Sequence, residues 1–424
     1  MTGNTWHIIG GRPLRGRVRP SGSKNGALPT LAATLLLDGE TILHNVPRIL
    51  DVETMLALLR AVGLTVEERG RSSVRITNHG LTTHRVPAEL AEKMRASHYL
   101  LGPLLLRLGA AEMAMPGGCS LGSRPVTHIT SVLETLGARE TTSDHTIALT
   151  ASALRGGTVT LDPVHRNPGA TFTAVMAASL AYGETVIENA SFEPDVVAFC
   201  ELLVAAGATI EGIGTSTLTV HGAAELGGTT HTINPDRLEA GTFFCAAGAT
   251  RGEVMVEGIR RCDLGAVADK LTEAGLRLEE SAEGMVAAAL GRPRGVAVVT
   301  RPFPEFPTDL QPPMAAMLAT ADGNSRIHES IFDQRLQYAD QLLKMGARIR
   351  LLDGRRAEIV GVPQLHGAEV EAYNIRDGAA LVVAALGAEG ESWVSGRRFV
   401  ARGYEDLEGK LSALGADIRC VDRV

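Results

Sequence analysis

Lysine is almost missing from this 424-residue chain: five lysines stand against 36 arginines. Aromatic residues make up only 4%, and there is no basic run. With a net charge of −7, that excludes a nucleic-acid scaffold, whose affinity rests on clustered phosphate contacts. Any anion must instead be met by a few placed cations. The five cysteines (Cys119, Cys200, Cys245, Cys262 and Cys420) are scattered, without paired metal-ligand spacing. They read as reduced thiols rather than a disulfide framework or a metal site. No apolar stretch approaches the ~18 residues of a membrane helix, and Met1–Ile9 lacks the basic segment and apolar core of a signal peptide. The expectation is a soluble cytoplasmic protein with no membrane partner.

What is present is a repeat. At roughly 100–200 residues per domain the length suggests two or three domains, and 45% hydrophobic content excludes disorder. An amphipathic helix ending in glycine, then Ala or Leu, then an alternating strand, recurs at Gly63, Gly137, Gly207, Gly275, Gly346 and Gly415, with gaps of 74, 70, 68, 71 and 69 residues. Each glycine marks a helix stop that needs a left-handed residue. Upstream, a second helix ends at Gly39, Gly109, Gly183, Gly252, Gly323 or Gly390. The unit reads strand–helix–strand–helix–strand, and six units of ~70 residues are too long for a solenoid and suggest two domains of three units. The second unit carries an insertion, Met115-Pro-Gly-Gly-Cys119-Ser-Leu-Gly-Ser-Arg124-Pro125, long enough to move.

Several residue patterns can carry chemistry. Cys119 lies among Gly117, Gly118 and Gly122 with Arg124 nearby, a setting that stabilises a thiolate; the alternative is an incidental thiol in a turn. Cys200, Cys245 and Cys420 lie in apolar contexts that fit core packing. Lys24 in Ser-Gly-Ser-Lys24-Asn25-Gly-Ala-Leu-Pro enters an apolar helix, so it is either an anion site or a solvated lysine. The Gly-Lys-Ser/Thr ending of a nucleotide phosphate loop is missing. Asp309, in Phe-Pro-Glu-Phe-Pro-Thr-Asp309-Leu-Gln, is either a helix N-cap or a base on a stiff loop. Arg95, Arg237, Arg335, Arg376 and Arg402 read individually as surface ion pairs and collectively as partners for a phosphate and a carboxylate.

These phrases, with Met-Arg95-Ala-Ser, Glu-Pro-Asp-Val-Val, Pro-Asp236-Arg237-Leu-Glu-Ala-Gly-Thr and Arg402-Gly-Tyr-Glu, resemble the UDP-N-acetylglucosamine 1-carboxyvinyltransferases over essentially the whole chain. The resemblance implies an α/β fold of two inside-out α/β barrels with three units each, residues 23–231 forming one domain and 1–22 plus 232–424 the other, with the active site in the cleft between them. It implies transfer of the enolpyruvyl group of phosphoenolpyruvate to the 3-hydroxyl of UDP-N-acetylglucosamine by addition and elimination, with release of phosphate, the first committed step of peptidoglycan precursor synthesis. By match to its motifs, Cys119 is the acid, Asp309 the base and Lys24 a catalytic cation. Lys24, Arg95, Arg124, Arg376 and Arg402 hold the donor. Asn25, Arg124, Pro125, Val126, His165, Asn167, Gly169, Asp309 and Ile331 meet the acceptor. The implied partners are phosphoenolpyruvate and a uridine nucleotide or nucleotide sugar, with no metal and no cofactor.

The chain departs from the family pattern on the acceptor side. Arg124-Pro-Val-Thr127-His128 is one residue short and lacks an aspartate. His165-Arg166-Asn167-Pro168-Gly169 replaces a stretch near the diphosphate, and Pro168 removes a backbone donor. Ala401 and Asn374 each replace an aspartate beside a key arginine. A second reading is therefore a paralogue acting on another nucleotide, such as the 3′-hydroxyl of UMP; a third is a non-catalytic relative, which the intact Lys24, Cys119, Asp309 and Arg402 argue against.

Overall fold

The computed structural model describes residues 4–117, 126–143 and 145–422. They divide into two compact units, and the chain passes from the first to the second at Ser21/Gly22 and back at Asn234/Pro235. Six sheets are present among the described residues, three in each unit. In a representative sheet, Thr158–Thr160 runs parallel to Glu184–Glu188, which pairs antiparallel with Thr217–His221, itself flanked antiparallel by Thr209–Glu211. Ala297–Val299, Asn324–His328, Arg356–Val360 and Arg348–Leu351 repeat the pattern. The unit is thus strand–helix–strand–helix–strand–strand, one strand longer than the expectation. The extra strand returns through a short turn such as Gly212–Ser216, so in the sequence it reads as a continuation of its neighbour.

Three sheets are completed by strands from elsewhere in the chain. Thr5–Ile9 pairs with Glu391–Ser395 and Asp417–Val421, taking the last-strand place of the sixth sheet. Arg15–Val18 lies parallel to Glu253–Glu257, taking the first-strand place of the fourth. Leu226–Gly227 and Thr230–Thr232 lie parallel to Leu37–His44 in the sheet of the first repeat, within the Gly22–Asn234 unit. Ser21 is anchored within its own unit: its N–H donates to Glu239 Oε2 at 2.9 Å, and Lys410 donates to its Oγ at 2.6 Å while also pairing with Glu239.

The helices fall into two kinds. Arg237–Thr250, Gln311–Leu318 and Ile375–Gly387 are buried almost throughout and pack on one another at the centre of their unit. In the Gly22–Asn234 unit, Lys24–Ala33, Leu101–Leu108 and Pro168–Ser179 are the equivalents. Small and apolar residues on every side of a helix permit this, because only a helix without a polar face can be surrounded. The second helix of each repeat, such as Leu50–Ala61 or Pro194–Ala205, buries one face only.

All six repeat glycines have φ between +85° and +117°, as the helix-stop reading requires. In the upstream set, Gly252 differs: Arg251 takes the left-handed place (φ +54°), and a Cβ on Gly252 would stand 2.1 Å from the Leu14 carbonyl. There glycine is needed for close backbone approach. At Gly207, φ is +108° and no atom lies within 4 Å of an added Cβ, so Gly207→Ala isolates the backbone cost. We expect about 1–2 kcal/mol of destabilisation, read as a melting temperature lower by a few degrees in calorimetry.

Candidate active site

In both units the candidate residues stand at the N-terminal ends of the central helices. Ser23 caps Lys24–Ala33 by accepting the Gly26 N–H at 3.3 Å, which makes Lys24 the first helical residue. Lys24 Nζ pairs with Asp51 Oδ2 at 2.7 Å, and the side chains are only 14% and 6% exposed. Lys24 is therefore a held, largely buried cation and not a solvated one. Asn25 follows, partly buried. A Cβ on Gly26 would meet Asn234 Oδ1 and Asp195 Oδ1 at 3.0 and 3.1 Å, and Asn234 Nδ2 donates to Asp195 Oδ1 at 2.9 Å.

Arg95 opens the 3₁₀ turn Arg95–Leu100 that leads into Leu101–Leu108, and its carbonyl accepts from His98 Nδ1 at 2.6 Å. Asn167 caps Pro168–Ser179 by accepting the Ala170 N–H at 3.2 Å, with Pro168 in the first turn, where a missing N–H costs least. A Cβ on Gly169 would lie 3.6 Å from His98 Nε2 and Tyr99 Oη, so the Arg95 and Asn167 helix entrances adjoin. His165 is exposed, with Nδ1 donating to Asp162 Oδ2 at 2.6 Å. Arg166 has φ +38° and places its guanidinium 5.5 Å from the Phe192 ring centre. Val126 precedes Thr127–Thr135. Cys119, Arg124 and Pro125 lie outside the described residues.

The other unit concentrates charge on Asp309. Its Oδ1 accepts from Arg335 Nη2 at 2.6 Å, and its Oδ2 accepts from Arg376 Nε and Nη2 at 3.1 and 3.0 Å. Asp309 is 27% exposed at the side chain, Arg335 2% and Arg376 4%. The N-cap alternative is excluded, since the residue before Gln311–Leu318 is Leu310 and no side-chain cap bond is made there. The reading of Arg237, Arg335 and Arg376 as surface ion pairs fails as well, because all three are buried. Burial opposes the charge of Arg376, yet the Asp309 carboxylate, helped by Tyr404 and Asp236, holds its pKa above the ordinary arginine value. The Arg376 guanidinium lies 5.2 Å from the Tyr404 ring centre, and Tyr404 Oη bonds Thr242 Oγ1 at 2.8 Å. Asn374, in place of an acid, caps Ile375–Gly387 by accepting from the N–H groups of Arg376 and Asp377.

Ile331 donates its N–H to the buried Glu329 Oε1 at 2.8 Å; Glu329 also accepts from Thr300, Thr308 and Phe332 and so fixes this loop. Arg402 sits partly buried in the turn after Arg397–Val400. Cys200 and Cys245 are buried, which pushes both thiols up to about 12, whereas Cys420 is half-exposed rather than a core residue and Cys262 is exposed. Sequence reasoning missed Asp51 as the partner of Lys24 and did not foresee Arg335 as a partner of Asp309. Asp51, in the first turn of the next helix, carried no signal beyond ordinary helix charge patterning.

This fold is shared with solved enolpyruvyl transferases. The enolpyruvyl transferase NikO from Streptomyces tendae superposes with a TM-score of 0.88 at 28% identity, covering 99% of both chains. An EPSP synthase from Acinetobacter baumannii, at 20% identity and a TM-score of 0.72, shares the fold. The family model described as EPSP synthase (3-phosphoshikimate 1-carboxyvinyltransferase) matches residues 8–411, and the chain belongs to this family of transferases. Relatives named UDP-N-acetylglucosamine 1-carboxyvinyltransferase include one from Cereibacter sphaeroides, 44% identical over 97% of this chain and 98% of its own length. Another, from Caldanaerobacter subterraneus subsp. tengcongensis and numbered 3 in its name, is 43% identical with coverage of 97% and 98%. No helix among the described residues is long and apolar enough to cross a membrane.

Removing the Asp309 carboxylate leaves two buried guanidiniums with no shared counter-charge. Asp309→Ala is expected to cost about 3–5 kcal/mol in urea unfolding, and Asp309→Asn less. In the native protein a thiol reagent should modify Cys262 and spare Cys200 and Cys245 until unfolding, as peptide mass mapping will report.

Proposed function

We propose that this protein transfers the enolpyruvyl group of phosphoenolpyruvate to the 3-hydroxyl of UDP-N-acetylglucosamine. The observation that carries the reading is a carboxylate, Asp309, held in one orientation by two buried arginines in a chain whose near-full-length relatives are named for that activity. The acceptor O–H adds across the donor's double bond. Oxygen bonds to the carbon bearing phosphate while the methylene carbon takes a proton and becomes a methyl; the C–O bond to phosphate then breaks, the methyl loses a proton, and the double bond re-forms.

Asp309 accepts the hydroxyl proton, its lone pairs aimed by Arg335 and Arg376. Lys24, paired with Asp51, meets the donor's phosphate as a cation, and Arg95, Arg124 and Arg402 bind the same donor. Arg376 keeps Nη1 for an anion, because its other donors are committed to Asp309. Cys119 supplies the proton to the methylene carbon. Asn25, Val126, Gly169 and Ile331 meet the acceptor, and the reaction takes place in the cytoplasm.

A second reading, a different uridine nucleotide such as UMP as acceptor, is favoured by one observation. The Ala170 N–H is already taken by Asn167 Oδ1 and Pro168 has no N–H, so this helix entrance has two fewer backbone donors for a diphosphate.

A panel of acceptors with phosphoenolpyruvate, followed by phosphate release, tests both readings. Turnover with UDP-N-acetylglucosamine supports the first, and turnover with UMP alone replaces it. Fosfomycin should add its mass to Cys119, and phosphoenolpyruvate should protect against this. Cys119→Ser should lower kcat at least about 100-fold, and Asp309→Ala by about 10²–10⁴ with a smaller effect on donor binding.

A further inference from the structure

Close to Asp309 the same unit buries a second carboxyl that the chemistry above does not use. Asp377 is the third residue of Ile375–Gly387 and is 1% exposed. An acid in a first helical turn normally faces the helix dipole and water. Here both side-chain oxygens are buried without a hydrogen-bond partner. Asn374 Oδ1 already takes the Asp377 N–H at 3.0 Å, so the helix end does not need the carboxyl. A buried, unpartnered carboxyl costs stability, and a residue kept at such a cost is a candidate for function.

The groups acting electrostatically on Asp377 are Arg335 and Tyr338. Arg335 is the residue whose Nη2 donates to Asp309, and its Nε is buried with no acceptor. Tyr338 Oη accepts from Gln311 Nε2 at 2.8 Å. Elements packed on this helix also bring Arg237, Glu239, Asp340 and His7, and Arg376 on the helix itself is committed to Asp309. Burial pushes the Asp377 carboxyl up to about 6, against the pull of Arg335 and the Asn374 amide.

We infer that Asp377 is a positioning residue that sets the basicity of Asp309 through Arg335, one guanidinium serving two carboxyls. The inference rests on Asp309 acting as the base. While Asp377 is ionised it draws on the charge of Arg335, and Asp309 binds a proton more strongly. When Asp377 is protonated, or replaced by a neutral residue, Arg335 acts on Asp309 alone and the base is weakened.

The test compares the full-length wild type with Asp377→Asn and Asp377→Glu in thermal melts at pH 5 and pH 8, and in the pH profile of kcat for phosphate release. The folded-state pKa is raised, so this group's contribution to stability is present at low pH and lost as pH rises through about 6. Asp377→Asn should therefore melt at or above the wild-type temperature, with the larger gain at pH 8. Its kcat should fall about tenfold while the KM for phosphoenolpyruvate stays within about threefold. The loss should be seen at pH 8 and vanish at pH 5, where the wild-type Asp377 is itself protonated, and Asp377→Glu should restore the wild-type profile. A ratio of variant to wild-type kcat that is the same at pH 5 and pH 8, or a variant that melts below the wild type at pH 8, overturns the inference. A wild type that turns over no acceptor sinks the reading of function instead. The inference is then decided by melts of Asp377→Asn, Asp309→Asn and the double variant, which must be non-additive because both act through Arg335; additive effects reject it.

Discussion

A helix that is apolar on every side has only its ends to offer, and this constraint organises the protein. Five of the six central helices are buried along nearly their whole length and Leu101–Leu108 over its first five residues, so polar chemistry gathers at the residues that precede or open them. Lys24, Arg95, Asn167, Arg237, Asp309 and Arg376 occupy equivalent places in six repeats. The free N–H groups of a helix start add their own partial positive charge there. The repeat is thus a device that places charge, and what distinguishes one unit from another is the residue installed at that end.

Buried charge is expensive, and the structure meets the cost by sharing. Asp309 satisfies two arginines at once, Lys24 is given Asp51, and Lys410 is given Glu239 and Ser21. Such arrangements add little to stability compared with apolar replacements, but they lock orientation, and removing one member leaves the others uncompensated. That rigidity suits a site in which proton acceptor and anion-binding groups must be fixed before substrates arrive.

The periodic features were legible in the sequence. Glycine at Gly63 and its five counterparts announced a helix stop because left-handed backbone has a residue signature. The last strand of each repeat was not legible, because a hairpin turn and its strand share composition with the strand before. At the site, Lys24, Asp309 and Arg376 stood out through their local phrases. Asp51 and Asp377 did not, and Arg335 stood out only as one of several arginines for an anion, because these roles arise from partners distant in sequence: Arg335 meets Asp309 26 residues away, and Arg376 meets it 67 residues away. Local pattern shows which residue is unusual; only the fold shows which buried charge it answers.

The borrowed strands bear on the order in which the chain can become structured. Thr5–Ile9 and Arg15–Val18 leave the ribosome before the Gly22–Asn234 unit, yet their pairing partners, Glu253–Glu257, Glu391–Ser395 and Asp417–Val421, emerge after the whole of that unit has been made. The Gly22–Asn234 unit contains all its own strands and can close while the leading segment still has two exposed edges. These two strands are made early and find their place late, and the nascent chain carries them unpaired while more than 200 residues are added.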